Sequence, residues 1–170
     1  MSRIKLLCLD VMRAASPFLV HLFYGSFWRL RDKCKATKGG LRHLLYFAYL
    51  EHCGSYIGLE AMIKSQPIFP HGIKGIFISK SATIGERIVI FQHVTIGSNN
   101  LNDGEGGAPY VESDCYIGAG AKIIGRVKLG HHCRIGAGCV VWKDVPPNTT
   151  VVVQGNRYIT HENANDNTRW

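Results

Sequence analysis

The sequence predicts a mainly β protein: a parallel β-helix of hexapeptide repeats, preceded by an α-helical segment. Three observations predict it. An aliphatic residue returns every sixth position at Val111, Ile117, Ile123, Leu129, Ile135 and Val141, and an upstream run at Ile78, Ile84, Ile90 and Ile96 keeps the same beat. Glycine follows the aliphatic at Gly85, Gly97, Gly118, Gly130 and Gly136. Four residues after the aliphatic stands a second apolar residue, often smaller: Ala82, Ile88, Val94, Cys115, Ala121, Val127, Cys133, Cys139 and Val145.

A strand alternates with a period of two and a helix recurs near 3.6, so a strict period of six fits neither element alone. Six residues do make a short strand and a tight corner, and three such units close a triangular coil of about eighteen residues. The aliphatic and the residue at i+4 then both point inside. Glycine after the aliphatic suits a corner, where a side chain would be crowded or φ positive.

Residues 1–55 read as the helical segment. Met1 to about Leu30 is apolar and basic, and the predicted helices are Ile4–Ala15, Pro17–Arg31 and Leu41–His52, the last stopped by Gly54. The apolar run is interrupted by Pro17, His21 and Gly25 and is shorter than the roughly 20 residues a membrane helix needs. Two roles are open for this segment. It packs on itself or a neighbouring subunit, or it attaches to a membrane interface through Trp28 and several Phe beside Arg3, Lys5, Arg13, Arg29, Arg31, Lys33, Lys35 and Lys38.

Residues 56–155 read as the β-helix, with Ile63, Ile68 and Phe69 forming an imperfect first coil. Pro70-His71-Gly72-Ile73-Lys74-Gly75 puts a histidine on a glycine-rich corner of a rigid scaffold. Fifteen residues separate Ile96 from Val111, which is not a multiple of six, so a loop leaves the coil at 98–110, where Ser98–Pro109 is polar and glycine-rich. Such a loop can cover a site on a neighbouring subunit. Pro146-Pro147 ends the repeat, Val151–Val153 adds a last strand, and 156–170 is a tail whose polar end, His161–Trp170, is expected to be mobile.

A net charge of +8 favours anionic partners: phosphate-bearing cofactors, acidic glycans, membrane surfaces or nucleic acid. No nucleic-acid-binding motif supports the last. Of the six cysteines, Cys115, Cys133 and Cys139 fall in the small inward column, and no CxxC pair occurs. They read as reduced core residues rather than metal ligands, which points to a reducing, cytoplasmic compartment.

The segments PHGIKGIFISKSATIG, VTIGSNN and YIGAGAKIIGRVKLGHHCRIGAGCVVWKDVPPNT resemble the left-handed β-helix acetyltransferases of hexapeptide repeats, in their serine acetyltransferase-like branch. The resemblance spans about Ile63 to Gly155. It implies a homotrimer that binds acetyl-CoA between coils of two subunits. It also implies His71 as the general base that takes a proton from the acceptor hydroxyl as it attacks the thioester. A carboxylate that orients this imidazole is expected, and Glu60 is the nearest upstream acid. Gly97, Ala119 and Ala137 match positions where pantetheine approaches the backbone, while Lys143 and Arg126 are placed to meet CoA phosphates. His93 is a candidate acceptor contact. His131 and His132 fall at a corner, where exposure is expected and metal binding is not.

The departures bear on the acceptor. In serine acetyltransferases an aspartate precedes the catalytic histidine and an Arg-His-Pro follows the loop; here Pro70 and Gly107-Ala108-Pro109 stand instead. A serine zwitterion left without partners loses about 1 to 3 kcal/mol per contact. This favours a sugar hydroxyl, as in surface-polysaccharide synthesis, over free L-serine as acceptor. A non-catalytic β-helix scaffold is the reading from another class.

Overall fold

The computed structural model describes residues 3–37, 39–99 and 107–155. The interior of the extruded loop and the tail from 156 lie outside the described residues. Helices α1 (Arg3–Tyr24), α2 (Phe27–Lys35) and α3 (Leu41–His52) precede five coils. The first coil is β1 (Tyr56–Ile57), β2 (Met62–Ile63) and a single bridging residue, Ile68. The second is β3 (Phe77–Ile78), β4 (Thr83–Ile84) and β5 (Val89–Ile90), and the third is β6 (Thr95–Gly97), β7 (Tyr110–Val111) and β8 (Tyr116–Ile117). The fourth is β9 (Lys122–Ile124), β10 (Lys128–Leu129) and β11 (Arg134–Ile135), and the fifth is β12 (Val140–Val141), a bridge at Val145, and β13 (Thr150–Val151).

Each strand pairs in parallel with its counterpart one coil away, giving three sheets that wind as a left-handed β-helix. Register is kept by the aliphatic column: Ile57, Ile78, Ile96, Ile123 and Val141 lie one above the next in the first sheet. These residues are buried, and so is the i+4 column, including Cys115, Cys133 and Cys139 as free thiols. Burial pushes the Cys115 thiol up to about 11. Each inward Ile or Val removed from water contributes about 1.5 to 3 kcal/mol, which is what makes a two-residue strand stable in a stack.

The glycines after the aliphatic are needed for space and not for φ. A Cβ at Gly85 would meet the backbone of Glu112 and Ser113 at 2.7 Å, and one at Gly118 would meet the Ala137 amide at 2.7 Å. Positive φ falls two residues later in the corner, on Arg87, Asp114, His132 and Asn148 at one edge and on His93, Gly120 and Gly138 at another.

The first helix differs from expectation. It runs through Pro17 and ends at Gly25, whose φ is 71°. A proline inside a helix leaves the carbonyl four residues back without its amide donor. Here that carbonyl belongs to Arg13, and the buried Ser16 hydroxyl donates to it at 2.7 Å. Ser26 then caps α2 by accepting from the Arg29 amide. The third helix has the expected bounds.

These helices pack over the first coil. The Tyr46 hydroxyl donates to the Ile57 carbonyl at 2.7 Å. Buried Arg31 donates to the carbonyls of Leu59 and Ala61 at 3.2 and 2.7 Å, with its guanidinium over the Trp28 ring. A buried cation without a carboxylate needs such acceptors. The helical core and the β-helix interior form one continuous apolar cluster.

Candidate active site

The site is built where the third sheet hands the chain to the first. In later coils this corner takes four residues, Phe91–Val94, Gly118–Ala121 and Gly136–Cys139. In the first coil it takes eight, Phe69–Ile76, and the excess forms a turn that carries His71 to the surface. The corners stack through backbone hydrogen bonds: the His93 amide donates to Lys74 O, Gly120 to Gln92 O and Gly138 to Ala119 O.

The His71 turn is held from behind by the end of α3. The Gly75 amide donates to Cys53 O at 3.2 Å, the Ile76 amide donates to the Ser55 hydroxyl oxygen at 3.1 Å, and that hydroxyl donates to Ile73 O. Gly72 and Gly75 take positive φ, which makes the turn tight. The imidazole of His71 is exposed and lies 5.6 Å, centroid to centroid, from Phe91, which in turn lies 5.1 Å from Tyr116. The His93 ring lies over Gly75, filling the space a side chain there would take. Thus His71 and His93 stand on one edge in successive coils.

Ala119 and Ala137 continue the same edge through the next two corners. Gly120 and Gly138 beside them have open space where a Cβ would be, so this stretch is a shelf of nearly bare backbone. The other proposed cofactor residues lie elsewhere. Gly97 ends β6, exposed Arg126 lies over Gly107 at the base of the extruded loop, and Lys143 Nζ sits 4.4 Å above the Trp142 ring. All three mark the edge where the first sheet hands over to the second. Glu60 is at that edge too, exposed in the turn between β1 and β2. No hydrogen bond or ion pair joins it to His71 among the described residues.

Four residues of the site carry no obvious sequence signal. Phe91 and Tyr116 extend the His71 ring into an aromatic ladder, Ser55 anchors its turn, and the Gln92 side-chain oxygen is buried on the same edge with no hydrogen-bond partner among the described residues. Gly75 did carry a signal, standing one coil, eighteen residues, before His93. Asn99 and Gly107 exchange two backbone hydrogen bonds, each amide donating to the other's carbonyl, across residues 100–106. Among the described residues no group of His, Cys, Asp or Glu could hold a metal ion.

Residues 108–141 match the family of the bacterial transferase hexapeptide, six repeats. The serine acetyltransferase of Bacillus licheniformis is 37% identical over 108 residues, covering 63% of this chain and 46% of the relative. That of Synechococcus elongatus is 40% identical over 82 residues, 48% of this chain and 33% of the relative. Among solved structures, Entamoeba histolytica serine acetyltransferase 1 in complex with L-cysteine superposes with a TM-score of 0.62 at 30% identity, over 75% of this chain and 49% of that one. The β-helix resembles those of the serine acetyltransferases, in hexapeptide repeat and in winding. Neisseria gonorrhoeae serine acetyltransferase in complex with serine agrees, with a TM-score of 0.62 at 28% identity over 80% of this chain and 57% of that one. The chain spans from a third to about half the length of the two relatives named above.

Proposed function

We propose that this serine acetyltransferase-like chain is an acetyl-CoA-dependent O-acetyltransferase whose general base is His71. One observation carries the reading: the exposed imidazole stands at the head of the bare shelf formed by Ala119, Gly120, Ala137 and Gly138. A pantetheine arm is thin, extended and amide-bearing, and a shelf of backbone without side chains fits it. Neutral His71 takes the acceptor hydroxyl proton as the oxygen forms its bond to the thioester carbonyl; the carbon–sulfur bond breaks, and the proton passes to the departing thiolate. His93, one coil along, contacts the acceptor.

The active unit is a homotrimer. One edge of a triangular prism cannot face another edge of the same prism, but in a closed ring an edge of each copy meets a different edge of the next. The cleft then combines His71, His93, Ala119 and Ala137 of one copy with the edge of the next that bears Glu60, Gly97, Arg126 and Lys143. In that arrangement Glu60 orients the imidazole from across the interface, and the two cations meet CoA phosphates.

The names of the relatives support serine as the acceptor. A sugar hydroxyl is the second reading, favoured by Pro70 before His71 and by the uncharged Gly107-Ala108-Pro109 after the loop. Thiol release from acetyl-CoA, measured with L-serine and with a panel of sugars, tests both. Wild type is expected to release thiol with one acceptor class, and His71→Ala to lose about a hundredfold or more at unchanged melting temperature. Release with L-serine alone removes the sugar reading. No release with any acceptor leaves a non-catalytic scaffold.

A further inference from the structure

The helical segment presents an apolar face that is exposed among the described residues. Along α1, Val11, Phe18 and Leu22 form an exposed stripe, with Phe18 67% exposed and Phe23 beside it 69% exposed. Helix α3 runs antiparallel to α1, fixed by the Arg13 to Glu51 ion pair at one end, and adds Leu41, which is 74% exposed, with Leu44 and Phe47. Between the two helices is a groove of about 680 Å³ lined by Met12, Leu19, Phe23 and Leu41, with Lys33 and Arg42 among its walls.

The charge on this segment selects the occupant. Residues 1–52 hold nine Lys and Arg against three Asp and Glu, so +6 of the chain's +8 lies here. Two of the three acids, Asp10 and Glu51, are already engaged by Arg13. A second copy docking face to face would bring +6 against +6. An anionic surface with an apolar interior meets both features at once: the aromatic and aliphatic side chains enter the acyl boundary while Lys33 and Arg42 reach headgroup phosphates. Among the described residues no helix is long and apolar enough to cross a membrane, so the geometry is that of helices lying on the surface.

We infer that the face formed by α1 and α3 docks on the surface of an anionic lipid bilayer. This holds whether or not the chain transfers acetyl groups.

The test is cosedimentation of the full chain with vesicles of phosphatidylcholine alone and of phosphatidylcholine mixed with phosphatidylglycerol. Binding is expected only to the mixed vesicles, and it should fall steeply in about 0.5 M NaCl as charge is screened. Neutralising Lys33→Gln and Arg42→Gln together should weaken partitioning more than tenfold, about fivefold for each charge. Phe18→Ser with Phe23→Ser should abolish it, with melting temperature unchanged because both side chains are exposed. Equal binding to the two vesicle types, none to either, or full binding by the double variants would overturn the inference. So would a wild-type assembly in sedimentation velocity that the Phe variant breaks apart, since the face would then join copies of the chain.

Discussion

The imidazole of His93 rests on Gly75, one coil before it, in space that any larger residue at 75 would claim. The two are coupled through backbone as well, since the His93 amide donates to the carbonyl of Lys74. Gly75 also has φ of 67°, a conformation that costs other residues roughly 1 to 2 kcal/mol.

Gly75→Ala should therefore lower both stability and rate. The expected cost is about 1 to 2 kcal/mol of unfolding free energy from the strained backbone, together with a fall of about tenfold or more in kcat/KM as the ring is pushed aside. The second effect is separable. If it acts through His93, adding Gly75→Ala to a His93→Ala background costs no further activity, and the pair of measurements forms a double-mutant cycle. Additive losses would mean that Gly75 acts on the His71 turn directly.

The bond that lets α1 run through Pro17 can be tested in the same way. Removing the Ser16 hydroxyl leaves the Arg13 carbonyl without its donor. Ser16→Ala is expected to destabilise by about 0.5 to 1.5 kcal/mol, the net worth of one part-buried hydrogen bond. Pro17→Ala restores an amide hydrogen at the position where a helix supplies it, so the double variant should recover most of the loss in urea unfolding. A Ser16→Ala variant as stable as wild type would show that water satisfies the carbonyl.

The inward and outward faces were legible in the sequence, because the period of six fixes direction and each buried column is where the count puts it. Which edge of the prism a residue marks was harder to read. That depends on position within eighteen, and two irregularities break the count: the eight-residue corner at Phe69–Ile76 and the loop after Ser98. Ala119 and Ala137, one full coil apart and beyond both irregularities, could be placed together. Glu60 and Gly97 could not be placed relative to His71, and they fall on the other edge. Pro17 misled for a local reason, since its cost as a helix breaker is offset by one hydroxyl that sequence pattern does not reveal. Residues such as Phe91 and Tyr116 read as ordinary outward positions until the coils are stacked.

The last prediction concerns acid. Arg87 and Asp114 sit at the same corner of successive coils, and the guanidinium makes a two-pronged contact, Nε to Oδ1 at 2.6 Å and an η nitrogen to Oδ2 at 2.7 Å. The hydrogen bond from Arg87 holds the Asp114 carboxyl below its ordinary value. One coil further, Lys128 and the His131 amide do the same to Glu112. A carboxyl depressed in the folded state binds fewer protons there than in the unfolded chain, so stability rises with pH across the interval between the two values. The contribution of each pair is fully present above the ordinary carboxylate range, near 4, and is lost as pH falls through the folded value. Asp114→Asn keeps a residue that tolerates positive φ, which Asp114 has at 64°. It should be less stable than wild type at pH 7 and should lose less on acidification, so the two unfolding curves converge toward pH 3. Curves that stay parallel from pH 7 to pH 3 would show that the ion pair between the coils contributes nothing to holding them together.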